Sequence, residues 1–344
     1  MAERDAWINL ALVKGVGPKT FQRLIQNGVT ASQVYQCDHD GLLALGLSDK
    51  LALSILRNPP SSPSKDVEHA LLWQQCNNHH LVAWGDEHYP ESLKHIASPP
   101  PLLMVKGKLE SLSLPQIAMV GSRYPTQSGQ TQAFEFAEAL ADMGFVITSG
   151  LARGVDSYAH KGCLQTGGTT VAVLGTGLNH IYPKQNLRLA DEIAESGAVV
   201  SEFSLASVAH AGHFPRRNRI VSGLSLGVLV VEATLKSGSL ITARQALEQN
   251  RDVFALPGSL ANPQKAGCHY LIRQGAELIE TPEQILESLG AQLKSSTVPN
   301  NTQSSSHLVT EANIDLPAEQ YAILNKLDYD GMAIDELVVK TQVS

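Results

Sequence analysis

Phe145-Val146-Ile147-Thr148-Ser149-Gly150-Leu151-Ala152-Arg153-Gly154 carries a short apolar, β-rich run straight into a glycine-bounded turn, and that order decides the fold. Comparable runs recur at Ile117–Val120, Thr170–Leu174, Ala198–Ser201, Gly227–Val231 and Asp252–Leu256. Amphipathic stretches of helical length, such as Gln130–Met143 and Leu240–Asn250, separate them. A strand with one face in water alternates polar and apolar residues. These runs do not alternate, so both faces are covered, as in a parallel sheet between two helix layers. From about Leu81 to Leu289 the chain therefore reads as a doubly wound α/β domain. A ligand of such a domain lies outside the carboxyl ends of the strands.

Small residues, hydroxyls and arginines dominate the segments that follow the runs: Gly121-Ser122-Arg123, Ser149-Gly150 through Arg153-Gly154, Gly175-Thr176-Gly177, Ser201-Glu202, Glu232 onward to Lys236-Ser237-Gly238-Ser239, and Pro257-Gly258. Such a rim lets a phosphate come close to the backbone and offers few acids, bases or nucleophiles. The segment His213-Phe214-Pro215-Arg216-Arg217-Asn218-Arg219 adds three arginines within four residues. Guanidinium forks bind phosphate oxygens bidentately, and the Ser237-Gly238-Ser239 turn opens a helix whose free N–H groups add a partial positive end. Lys184, after Tyr182-Pro183, extends the patch. The whole chain has a formal net charge of -7, with 26 Lys and Arg against 33 Asp and Glu. Positive charge localised on an acidic protein points to a nucleic acid or nucleotide met by one surface. Aromatic residues make up only 5% of the chain, which favours a grip on the backbone over stacking of bases.

Catalytic readings are weaker. Asp156, Glu202 and Glu232 at strand ends could hold a metal ion for a nuclease. The alternative is structural: Asp156 falls in the first turn of a helix, and Glu202 and Glu232 are placed to orient neighbouring arginines. His160 and Cys163 share one face of that helix, and no histidine or cysteine spacing suggests a metal site. Gly175-Thr176-Gly177-Leu178-Asn179-His180 has two of the three glycines of a dinucleotide fingerprint and a histidine in place of the third. A Walker A sequence is absent. No cofactor and no metal are expected.

The flanks differ from this centre. Residues 1–65 read as small helices. Leu12-Val13-Lys14-Gly15-Val16-Gly17-Pro18-Lys19-Thr20 has helix-hairpin-helix spacing, with a weaker echo around Gly46. Two readings stay open there: contact with a DNA phosphate, or a tight turn that serves packing alone. The Pro/Ser stretch from Asn58 to Ser64 marks a boundary to the central domain, residues 66–291. Residues 292–313 are rich in Ser, Thr, Asn and Gln and are expected to be a disordered linker. Residues 314–344 show two helical patterns around Gly331, the opening of a helix-turn-helix that reaches Ser344 before a recognition helix. At 344 residues and 43% hydrophobic content, two or three domains are expected. The charged N-terminus argues against a secretory signal, and no stretch has the length of a membrane span. Cys37, Cys76, Cys163 and Cys268 are scattered, as reduced thiols of a cytoplasmic protein would be.

At these residues the sequence resembles the DNA-processing protein A family, DprA, also called Smf. The resemblance runs through Gly121-Ser122-Arg123, Ser149-Gly150-Leu151-Ala152-Arg153-Gly154-Val155-Asp156, Gly175-Thr176-Gly177-Leu178 with Tyr182-Pro183, Ser201-Glu202-Phe203, Phe214 through Ile220, Ser237-Gly238-Ser239-Leu240-Ile241-Thr242-Ala243 and Pro257-Gly258. It implies an extended Rossmann-like domain that binds single-stranded DNA without catalysis. Its implied role is protection of incoming strands and loading of RecA recombinase in natural transformation, by a protein that dimerises. Carried onto this chain, the pocket is Arg123, Arg153-Gly154, Lys184, Asn218-Arg219 and the Ser237-Gly238-Ser239 turn, with a small helical N-terminal domain and a winged-helix-like C-terminal segment. The rival is a nucleotide-binding enzyme related to the nucleoside-monophosphate phosphoribohydrolases. Set on that motif, Gln245 stands where the catalytic glutamate belongs, and an amide cannot serve as a base.

Overall fold

The computed structural model describes residues 3–294. Six short helices come first: α1 (Glu3–Leu12), α2 (Pro18–Gln26), α3 (Ala31–Gln36), α4 (His39–Ala44), α5 (Asp49–Leu56) and α6 (Lys65–Trp73). Local chemistry sets several of their starts. Thr30 and Gln33 form a reciprocal capping box at α3, and the Asp38 carboxylate accepts from the Gly41 N–H at α4. The Gly15–Gly17 turn joins α1 to α2, with Gly17 as N-cap and Pro18 in the first turn. The echo at Gly46 joins α4 to α5, and its carbonyl accepts from the Arg23 guanidinium.

The sheet follows, beginning with β1 (His79–Ala83), α7 (Glu91–Lys94) and β2 (Leu102–Gly107). Strands and helices then alternate: β3 (Gln116–Val120), α8 (Gln127–Asp142), β4 (Val146–Ser149), α9 (Val155–Gln165), β5 (Thr170–Val173), α10 (Leu187–Ser196), β6 (Ala198–Ser201) and α11 (His213–Leu224). The series ends with β7 (Gly227–Val230), α12 (Ser239–Glu248), β8 (Asp252–Ala255), α13 (Ala266–Arg273), β9 (Glu277–Leu278) and α14 (Pro282–Lys294). The six apolar runs are β3 to β8, displaced by a residue at some ends. Every residue of β3 to β7 is buried, as continuous apolar strands between helix layers require.

One nine-stranded sheet has the order β1-β2-β6-β5-β4-β3-β7-β8-β9. From β6 to β9 neighbouring strands are parallel. The doubly wound fold is thus present, extended beyond β6 by two antiparallel strands that the apolar runs did not include. β1 escapes a periodicity reading because it opens on two half-buried histidines, His79 and His80. β4, β5 and β6 lie on one side of β3, and β7, β8 and β9 on the other. The loops after β3 and β7 therefore leave the sheet in opposite directions and open a crevice between them.

The N-terminal helices share a core with the sheet. Trp7, Phe21 and Leu24 belong to the same buried cluster as Leu81, Met104, Ile193 and Val199. An edge-on aromatic series, Trp7 to Phe21 to Trp84 to Tyr89, runs across the junction with ring centroids 4.9, 5.6 and 5.2 Å apart. Arg4 adds an ion pair to Asp86 at 3.1 Å. The four cysteines are free thiols. Among the described residues no helix is long and apolar enough to cross a membrane. Helix α14 runs through Lys294, past the point where the linker was expected to begin. The rest of that linker, to residue 313, and the helix-turn-helix pattern of 314–344 lie outside the described residues.

Candidate nucleic-acid interface

The crevice at the reversal of strand order holds a cleft of about 600 Å³. Its walls come from the loop after β3 (Gly121, Ser122, Arg123, Tyr124), the loop after β4 (Gly150, Ala152), the start of α11 (Phe214, Arg217, Asn218) and the turn into α12 (Ser237, Gly238, Ser239). Nine residues expected from sequence to contact phosphate thus meet in one place. Gly238 is the N-cap of α12, and the first N–H groups of the helix are not free as expected: Ser239 donates to the Ser237 hydroxyl at 3.3 Å, Leu240 to the Ser237 carbonyl and Ile241 to the Gly238 carbonyl. The positive end of that helix and the Ser237 and Ser239 hydroxyls, 2.6 Å apart, face the cleft opposite the Arg123 loop.

A side pocket of about 140 Å³ adjoins it, lined by Arg123, Arg153, Tyr124, Tyr182 and Phe214 among others. Tyr124 is 75% exposed and Tyr182 49% exposed, and the Arg123 guanidinium carbon stands 5.6 Å from the centre of the Phe214 ring. Low overall aromatic content favours a grip on the backbone over stacking of bases. Three of the few aromatics are concentrated at this spot, where flat faces beside a cation suit a base next to its phosphate. No local signal marks them, because they come from three separate segments.

The arginine-rich segment departs from expectation. It forms the first half of α11 and is not a rim loop, so Arg216, Arg217 and Arg219 point in different directions at 100° per residue. Arg217 turns inward, is 5% exposed, and donates to the carbonyls of Gly150 and Val173. Gly150 must lack a side chain here, since a Cβ would collide with the guanidinium. Burial pulls the Arg217 pKa down to about 10, opposed by Asp156 and reinforced by Arg123, which still leaves it charged at neutral pH. Asp156, in the first turn of α9, accepts from the Gly150 and Ala152 N–H groups. Burial pushes its carboxyl up, against the nearby Arg217 charge and those two bonds. The bend that aims both N–H groups at Asp156 places buried Leu151 at φ 54°, a strained conformation for a bulky residue.

Arg219 is 9% exposed and donates twice to Glu202, at 2.9 and 2.7 Å, and to the Ser98 carbonyl at 2.9 Å. Arg216 is exposed, bonds the same carboxylate at 3.1 Å, and lies 5.3 Å from the Phe203 ring. Neither lines the cleft. Lys184 and Lys236 are exposed outside it. Gly154 is the N-cap of α9, where the Val155 N–H donates to the Ser122 carbonyl at 3.1 Å. It therefore supports the Arg123 loop from behind.

The three candidate carboxylates serve separate networks, and among the described residues no group of three or more His, Cys, Asp or Glu could hold a metal ion. Glu202 orients arginines as expected. Glu232 does not: it accepts from the N–H and hydroxyl of Thr126. Gln245, at the would-be catalytic position, donates to the Pro215 carbonyl at 3.2 Å and ties α12 to α11. His160 is fully buried and lowered to about 3, by burial first and Arg217 second. The Thr170 hydroxyl donates to the Ile147 carbonyl, so it accepts from His160 Nδ1, and Nε2 carries no proton and has no partner. Burial likewise pushes the Cys163 thiol up to about 12, where it is inert as a nucleophile.

Comparison with known proteins bears on the family and the fold. The sequence model of the DNA recombination-mediator protein A family matches residues 80–290, the whole sheet from β1 to α14. Protein Smf of Escherichia coli (strain K12) is 46% identical over 290 residues, covering 84% of this chain and 76% of that protein. DNA processing protein DprA of Streptococcus pneumoniae is 40% identical over 271 residues, covering 77% and 95%. The X-ray structure of the S. pneumoniae protein superposes with a TM-score of 0.72 at 35% identity, over 82% of this chain and 97% of that one. A structure of DNA processing protein A from Helicobacter pylori, described for its single-stranded DNA binding mode, gives 0.56 at 31% identity over 62% and 97%. From the sequence model and these identities together, the chain belongs to the DNA recombination-mediator protein A family, DprA/Smf.

Proposed function

We propose that this protein binds single-stranded DNA in the cleft between β3 and β7 and acts as a recombination mediator in natural transformation, without chemistry on its ligand. The observation that carries this reading is the meeting of the exposed Arg123 loop and the start of α12 across one open cleft, with an aromatic side pocket beside it. A phosphate between Arg123 and the Ser237-Gly238-Ser239 turn receives a charge-assisted fork from one side and, from the other, the Ser237 and Ser239 hydroxyls at the positive end of α12. Its base can then stack in the side pocket, which a strand with splayed bases allows and a stiff duplex does not. Among the described residues the cleft lining pairs no nucleophile with a base, which supports a binding role. Loading of RecA recombinase, a homodimeric state and a place in the cytoplasm complete the proposal, by analogy with the family.

Titration of labelled single-stranded and duplex oligonucleotides at several salt concentrations tests it, with nucleotide turnover followed in parallel. If three or four phosphates are neutralised, log K falls against log salt with a slope of roughly -2 to -3, at about 0.7 per phosphate. Equal or tighter binding of blunt duplex, or turnover that disappears in Glu202→Gln, would overturn the reading.

A further inference from the structure

The Arg123 loop is short, and residue 232 holds both of its ends. At the first end the Ser122 N–H donates to the Glu232 carbonyl at 2.7 Å. At the other, the Thr126 N–H and hydroxyl donate to the two oxygens of the Glu232 carboxylate at 2.8 and 2.7 Å. Arg123, Tyr124 and Pro125 are suspended between these clamps, with Arg123 and Tyr124 exposed. Glu232 is itself 0% exposed and does not line the cleft.

The surroundings are built to receive this carboxylate. Thr126 is the N-cap of α8 and accepts from the Gly129 N–H at 3.1 Å, so Glu232 lies at the positive end of that helix. Gly129 leaves the space: a Cβ there would come within 2.6 Å of the Glu232 carboxylate. The end of β7 is fixed in turn, because buried Lys265 donates from Nζ to the Val231 carbonyl at 3.1 Å and to Gln132 of α8 at 2.7 Å. Burying a carboxylate costs free energy that hydrophobic packing would not. A group placed so, away from ligand and bonded to both ends of the ligand-facing loop, acts on the conformation of that loop.

We infer that Glu232 is a positioning residue for DNA binding: its carboxylate fixes the Arg123 loop in the shape that presents Arg123 and Tyr124 to the cleft. This rests on the reading of the cleft as a single-stranded DNA site. Two measurements on the full chain separate the two ideas. The first is amide hydrogen exchange without DNA. In Glu232→Ala, exchange at Thr126 and Gly129 accelerates while the amides of β3, β4 and β7 stay protected. The second is a double-mutant cycle with Arg123→Ala, read by affinity for an oligothymidylate strand. Glu232→Ala weakens binding on the order of tenfold, and Arg123→Ala then costs several-fold less in that background than in the wild type, because coupled residues are not additive. Glu232→Gln, whose amide oxygen still accepts from the Thr126 N–H, restores most of the affinity. Thr126→Val supplies the weaker form of the same effect should Glu232→Ala fail to fold. Failure of the wild type to bind single strands overturns the cleft reading while the exchange experiment still decides the anchor. Unchanged exchange, or strictly additive losses in a protein that binds DNA, overturns the role of Glu232.

Discussion

The loop after β3 and the first half of α11 border the same cleft, and each brings an arginine to it. Arg123 is exposed, rests beside the Phe214 ring and has open space in front of it. Arg217 is 5% exposed, with its donors turned to the Gly150 and Val173 carbonyls and Asp156 nearby. One guanidinium is open to the cleft, whereas the other mainly shapes the cleft floor. On the proposed reading the same residue type thus serves affinity in one region and the fold in the other. What separates them is whether backbone carbonyls have already claimed the fork.

The largest effect should come from the buried side of that contrast. Arg217→Ala removes the nearby charge that opposes the cost of burying Asp156 and leaves two buried carbonyls without their donor, so stability falls by about 2–5 kcal/mol. Denaturant unfolding of the purified protein measures this, and a loss below about 1 kcal/mol would put Arg217 on the ligand side of the comparison.

Arg123→Glu should behave in the opposite way. Single-strand affinity falls by about 2–5 kcal/mol, since repulsion replaces a charge-assisted bond. The unfolding midpoint stays close to wild type, because a loop arginine without structural bonds contributes within about 0.5 kcal/mol to stability. Wild-type affinity in a folded Arg123→Glu protein removes the loop from the interface.

Acid pH separates the two regions by a different route. His160, under the cleft floor, titrates at about 3 in the folded protein, below its ordinary value. Between those two values the unfolded chain binds the proton and the folded one does not. Stability therefore falls as pH drops from about 6.5 towards 3, by up to about 1.4 kcal/mol per unit from this group. Asp156, whose carboxyl burial pushes up, works in the reverse sense. Comparison of the wild type with His160→Leu isolates the histidine: the variant should show a flatter loss of stability in acid, and parallel curves would refute the assignment.

The smallest effect belongs to Arg216. It is the exposed member of the Glu202 pair and lies outside the cleft, so Arg216→Ala should cost less than about 1 kcal/mol in stability. Its effect on single-strand affinity should be several-fold smaller than that of Arg123→Ala in the same titration. Equal losses would mean that the ligand path continues over Phe203.

Read by itself, the sequence determined the framework. Runs such as Ala198–Ser201 and Gly227–Val230 are buried strands because an uninterrupted apolar run has no face to give to water. The loops at their carboxyl ends had to form a common rim, and Gly121 to Arg123 and Ser237 to Ser239 line one cleft there. Tertiary structure alone decided which cation stands exposed at the cleft. Arg216, Arg217 and Arg219 are neighbours in sequence, but helical rotation sends each to a different environment. Arg217 is claimed by a carbonyl 67 residues away and Arg219 by a carboxylate 17 residues away. The same holds for Glu232, which meets Thr126 across 106 residues of chain. Local sequence carries no record of such pairs. They exist only once two adjacent strands bring their loops together, and burial then makes each satisfied hydrogen bond costly to lose.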